Sequence, residues 1–155
     1  MEENNKHVQP NSKEEGVQRL NRILSESLIK ATDTYKTPPQ IIWVDNSSIA
    51  TLGNFSASTG KAKAKKTFNV SALVAASLAN GKVLNYRASL PEGKRKILYV
   101  DTEQSRYHCN NVLERNLKLA GLPTSIDNEN LDFICLREYT PSVRIEVIDY
   151  ALAHD

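Results

Sequence analysis

Apolar positions recur along this chain in two rhythms, one of about 3.6 residues and one of short unbroken runs. Val17, Leu20, Ile23, Leu24, Leu28 and Ile29 fall on one face of a helix over residues 17–31, which Thr37-Pro38-Pro39 ends. Residues 41–44 (IIWV) are a short β-branched and aromatic run, hence a strand. A turn at 45–48 and a second strand at 49–52 make an economical hairpin. A further short strand is expected over the apolar and small residues 54–59. Residues 68–80 (FNVSALVAASLAN) read as a helix stopped by Gly81.

Beyond it, VLNY at 83–86 is strand-like, and Pro91-Glu92-Gly93 is a turn. Residues 97–100 (ILYV) form an uninterrupted apolar run of the kind parallel sheets bury. Residues 106–120 read as a helix with Val112, Leu113, Leu117 and Leu119 inward, closed by Gly121 and Pro123. LDFICL at 131–136 is another strand. A last helix over 141–153 has Thr140 as cap and Pro141 at its first position, with Val143, Val147, Ile148, Ala151 and Leu152 inward. Strands alternating with helices predict an α/β fold with a parallel sheet. Residues 1–16 are rich in Asn, Lys, Glu and Gln and read as a disordered tail, followed by a helix and linker to residue 40.

Composition narrows the picture modestly. The 155 residues carry a net charge of +2, which gives no global argument for a nucleic-acid partner. The basic residues are nevertheless concentrated at Lys61, Lys63, Lys65 and Lys66, and again at Lys94, Arg95 and Lys96. No apolar run has membrane-spanning length and the polar start has no apolar leader, so a cytoplasmic protein with no membrane partner is expected. Cys109 and Cys135 are too few and too far apart for a zinc site and read as free thiols.

The candidate chemistry begins at residues 60–67. Gly60-Lys61-Ala62-Lys63-Ala64-Lys65-Lys66-Thr67 has the G-x-x-x-x-G-K-[ST] spacing of a phosphate-binding loop, with Lys65 in the place of the second glycine. In such a loop successive backbone N–H groups surround a phosphate, and the following helix adds its positive end. Lys66 would reach the β- and γ-phosphates and Thr67 would ligate Mg²⁺, with Phe68 next to them at the helix start. A lysine-rich surface loop ahead of a helix is the plain alternative.

ILYV runs on into Asp101-Thr102-Glu103-Gln104-Ser105, and the carboxyl ends of strands are where open α/β sheets bind ligands. Asp101 either holds a Mg²⁺-bound water or caps its own turn. Gln104 and Ser105 either sense a phosphate or cap the next helix. Arg137 sits at another strand end, and Trp43 either stacks on a base or packs. His108 has no partner at i+4 and is not expected to bind metal.

With the loop, the strand ending in Asp-Thr-Glu and the helix at 106–120 in this order, residues 41–155 resemble RecA-like P-loop ATPases. The likeness is to the RepA-like ATPases of plasmids and mobile elements. The resemblance implies ATP and Mg²⁺ as cofactors, Glu103 as the group that polarises the attacking water, and Lys66 on the phosphates. It also implies DNA as a partner and a homo-oligomer of the full-length protein. The family has a glycine where Lys65 stands, and its pattern continues into a strand ending in a Walker B aspartate. Asp149, inside a helical pattern, is a poor substitute. The expectation is therefore the N-terminal part of a longer ATPase, inactive alone, with open strand edges that leave it weakly stable or self-associating. The alternative is a non-enzymatic module that holds nucleic acid or another anion, or an inactive remnant of such an ATPase.

Overall fold

The computed structural model describes residues 12–61 and 65–154. It divides into two units, Met1–Thr37 and Pro38–Asp155. The first holds helix α1 (Ser12–Ser27). That helix starts earlier than its apolar face suggests, so residues 12–16, grouped by composition with the tail, form its first turn. The Ser12-Lys13-Glu14-Glu15 sequence carries the start signal, a hydroxyl residue followed three positions later by glutamate. The helix also stops at Ser27, short of residue 31. Beyond it, Asp33 folds a small turn by accepting from the Lys30 N–H and the Tyr35 hydroxyl, both at 2.9 Å.

The second unit begins with the expected hairpin, β1 (Gln40–Val44) and β2 (Ser47–Thr51), antiparallel around a turn at Asp45. Helix α2 (Lys66–Ala79) follows, then β3 (Lys82–Val83), β4 (Tyr86–Ala88) and β5 (Ile97–Asp101). Helix α3 (Arg106–Leu119), β6 (Leu131–Cys135) and helix α4 (Pro141–His154) complete it. The fold is mixed α/β with two sheets. One is antiparallel in the order β2-β1-β4-β3, and the other is the parallel pair β5-β6.

Three local expectations change. Residues 54–59 form no strand; Phe55 is 96% exposed there, and the Ser56 hydroxyl bonds back to the Ile49 carbonyl at 2.7 Å. Asn54, Ser56, Ser58 and Thr59 have side chains that compete with a ladder for the local backbone, which favours loop. VLNY is not one strand but the tip of the β3-β4 hairpin, turning at Leu84 with φ 55°. Asn80 rather than Gly81 takes the left-handed C-cap of α2 (φ 44°, ψ 45°), and its Oδ1 accepts the Leu90 N–H at 2.6 Å. Asparagine tolerates that conformation better than most residues.

Helix α2 is the spine of this unit because it is apolar or small nearly all round. Ala75 and Ala76 pack with Ile42, Val83 and Ala88 on the antiparallel sheet. Val70, Val74 and Leu78, at i, i+4 and i+8, meet Leu117 of α3 and Leu131, Ile97 and Tyr99 of the parallel pair. Tyr99 stacks on Phe133 in the adjacent strand, with ring centroids 4.2 Å apart.

β5 is less buried than its sequence predicts: residues 97–100 are all half-buried. The pair β5-β6 has only two strands, so among the described residues each strand has one open edge. Helix α4 buries none of its residues, and Ile145, Tyr150 and Leu152 are exposed. Its inward positions Val143, Val147, Ile148 and Ala151 reach half-burial.

Candidate functional site

Residues 54–61, which precede α2, form no strand. Ala62, Lys63 and Ala64 lie outside the described residues. Of the rest, Gly60, Lys61, Lys65, Lys66, Thr67 and Phe68 are all exposed. Lys65 is the N-cap of α2, with φ 56° and ψ 28°. This left-handed conformation is one that glycine adopts without penalty and other residues rarely hold. The residue that breaks the sequence pattern thus keeps the backbone geometry that a glycine would supply. Its carbonyl accepts the N–H groups of Phe68 and Asn69 at 3.0 and 3.1 Å, which starts the helix.

Lys66 is the first residue of α2. Its Nζ donates to the Gly60 carbonyl at 3.1 Å, tying the two ends of the loop together. An ammonium held by one exposed carbonyl gives up that bond readily to a stronger acceptor such as a phosphate oxygen. Thr67, one residue on, is exposed in the first turn of a 14-residue helix, at its positive end.

The acids at the end of β5 have divided fates. Asp101 is buried, and its Oδ1 accepts the N–H groups of Glu103 and Gln104 at 2.9 and 2.7 Å. Its Oδ2 accepts the Gln104 side-chain amide at 3.0 Å. These three bonds shape the turn 101–105. Glu103 is exposed on that turn, anchored through its backbone N–H. Ser105 occupies the N-cap position of α3, yet its hydroxyl makes no capping bond; its carbonyl accepts the Cys109 N–H at 2.9 Å.

The remaining candidates are engaged elsewhere. Trp43 has the Arg87 guanidinium 3.8 Å from its ring centre, and its indole N–H donates to Gln40 Oε1 at 3.2 Å. That contact fixes one face of the ring in the antiparallel sheet, where Trp43 and Arg87 are cross-strand partners. The Arg137 carbonyl accepts from Arg144, which also donates to the Tyr139 carbonyl, so this strand exit is braced by an arginine from α4. His108 lies edge-on to Tyr107. Among the described residues, no three His, Cys, Asp or Glu side chains converge as a metal group.

Two groups escaped the sequence reading. The thiols of Cys109 and Cys135 both donate to the Gln104 carbonyl, at 3.8 and 3.4 Å, just behind the turn that carries Glu103. Nothing in the spacing of two cysteines 26 positions apart signals that meeting. Asn116, fully buried on α3, has neither amide atom paired among the described residues.

Comparison with protein-family models, curated proteins and solved structures found no match for this chain. No described helix is long and apolar enough to cross a membrane.

Proposed function

We propose that the Pro38–Asp155 unit binds ATP with Mg²⁺ and belongs to a RecA-like ATPase of the RepA type. Hydrolysis would be coupled to DNA replication or mobilisation of a mobile element. The observation that carries this reading is the contact between Lys66 and Gly60 at the start of α2. Lys66 spans back to Gly60 at 3.1 Å, with Lys65 left-handed between them and the helix N-terminus behind. The left-handed Lys65 supplies at this junction the backbone turn that the second glycine of the spacing would supply, which supports the reading.

The roles of Lys66 and Thr67 follow from the spacing of the loop, and that of Glu103 from the family resemblance alone. Lys66 would neutralise the phosphates and Thr67 would hold Mg²⁺, while Glu103 on its exposed turn would polarise the attacking water. Asp101 sets the shape of that turn and would contact the metal through a water. Exposed cations at Lys61, Lys65 and Lys66, with the exposed Thr67 next in sequence, support a magnesium-bound polyphosphate as the ligand. DNA as partner and assembly of identical subunits rest on the family resemblance alone.

Binding of MgATP by calorimetry to wild type and to Lys66→Ala tests the reading. The variant is expected to lose at least tenfold in affinity, about 1.4 kcal/mol or more. Equal affinity would make the loop a general anion contact, with a steep salt dependence for nucleic acid and no need of Mg²⁺. Glu103→Gln, assayed in whatever form of the protein turns over ATP, should keep binding and lose hydrolysis; unchanged turnover would assign the base elsewhere.

A further inference from the structure

Cys109 lies in the first turn of α3 and Cys135 ends β6, opposite Asp101 in the parallel pair. Both are free thiols. Their sulfurs converge on one acceptor, the Gln104 carbonyl, at 3.8 and 3.4 Å. An open hollow of about 280 Å³, lined by both cysteines with Arg106, Asn110, Leu113 and Phe133, gives small molecules a path to them. Cys109 is buried and Cys135 half-buried, so the two differ in access. Burial first, and then a hydrogen bond with Cys135, push the Cys109 thiol up to about 12; Asp101 adds to this and Arg106 opposes it.

We propose that Cys109 and Cys135 are a reversible oxidation site, forming an intramolecular disulfide by exchange with a small disulfide of the glutathione type. The proposal does not depend on nucleotide binding. In the first step the Cys135 thiolate attacks one sulfur of the small disulfide, its S–S bond breaks, and one small thiolate leaves. In the second step Cys109 loses its proton to solvent and attacks the Cys135 sulfur, expelling the second small thiolate. Two protein thiols are oxidised and one small disulfide is reduced to two thiols, so atoms and electrons balance. The first step also removes the Cys135 thiol that helps keep Cys109 protonated, which favours the second.

The bond would join the start of α3 to the end of β6 across the carbonyl of Gln104. It would thereby clamp the turn 101–105, whose Glu103 and Gln104 N–H groups are already held by Asp101. Oxidation is thus expected to act on the mobility of Glu103 without touching it.

The test incubates the reduced full chain with oxidised glutathione, blocks remaining thiols with an alkylating agent, and measures intact mass and peptide map. The expected product is a monomer lighter by two hydrogens, with no alkylated cysteine and with Cys109 and Cys135 peptides joined until dithiothreitol is added. Cys109→Ser should stop at a single glutathione adduct on Cys135. Amide hydrogen exchange at Glu103 and Gln104 should slow severalfold in the oxidised wild type. A wild-type product that retains glutathione on one or both cysteines, forms disulfide-linked dimers, or keeps both thiols free overturns the site. An internal disulfide with unchanged exchange at Glu103 and Gln104 overturns the clamp. The wild-type measurements decide both points, even if the serine variant fails to fold.

Discussion

Lys65 offers a direct measure of whether the loop holds the geometry assigned to it. Its backbone is left-handed at φ 56° and ψ 28° while its side chain is exposed, so replacing it changes backbone strain and little packing. A side chain in this region costs about 1–2 kcal/mol from the contact between Cβ and the following carbonyl. Glycine removes that strain but frees the unfolded chain, at about 0.4–1 kcal/mol. Lys65→Gly is therefore expected to be stabilising by about 0.5 kcal/mol, and Lys65→Ala to be near neutral. Lys65→Val, whose branched Cβ fits this conformation worst, should fall about 1 kcal/mol or more below wild type. Fraying does not offer an escape, because the Lys65 carbonyl accepts the first two bonds of α2. Urea unfolding followed by circular dichroism reads the series. With a slope of about 2 kcal/mol/M, glycine and valine midpoints should differ by about 0.7 M. A valine variant as stable as the glycine variant would refute the left-handed junction. It would also take away the structural support for reading residues 60–67 as a phosphate loop.

Three further outcomes concern groups around the same core. Asn116→Ala removes a buried, unpaired amide from α3 and should stabilise by about 1 kcal/mol net of the small cavity, whereas Asn116→Asp buries a charge and should destabilise severely; an alanine variant weaker than wild type would mean the amide is paired. Asp101→Ala leaves the Glu103 and Gln104 N–H groups without their acceptor and should cost about 1–3 kcal/mol, while Asp101→Asn, which keeps an Oδ1 acceptor, should cost less; equal losses would assign the effect to charge rather than to the turn. The folded chain holds the protons of Cys109, raised by burial and then Cys135, and of Tyr99, raised above 10.0 by burial and then Asp101. Both pKa values lie above their unfolded ones, so that contribution is present below pH 9 and is lost as pH rises toward about 12. Urea midpoints should fall over this range and fall less steeply in Cys109→Ala; parallel slopes would contradict the assignment.

Much of the local structure was legible in the residues themselves. Periodicity located α2, α3 and α4, and short apolar runs located β1, β5 and β6, because a helix face or a half-buried strand must repeat its apolar side chains at its own period. The glycine-proline stop after α3 is equally local: Gly121 takes φ 73° and Leu122 N–H closes onto the Leu117 carbonyl at 2.9 Å. The spacing from Gly60 to Thr67 and the acids after ILYV also marked where chemistry would be sought. Partner choice was not legible. Alternation of strands and helices suggested a parallel sheet, yet β1 joins β2 to the β3-β4 hairpin in an antiparallel sheet, and among the described residues the parallel pairing is that of β5 with β6. Strand pairing depends on which edges the helices leave open, and no single strand encodes it. Tertiary structure likewise decided that Asp101 spends its carboxylate on its own turn, and that Lys65 stands left-handed where a glycine was expected. It also brought Cys109 and Cys135 to one carbonyl. Each of these is a relation between atoms from separate segments, or a backbone angle set by the helix that begins beside it, and a residue type does not carry that information until the chain has folded.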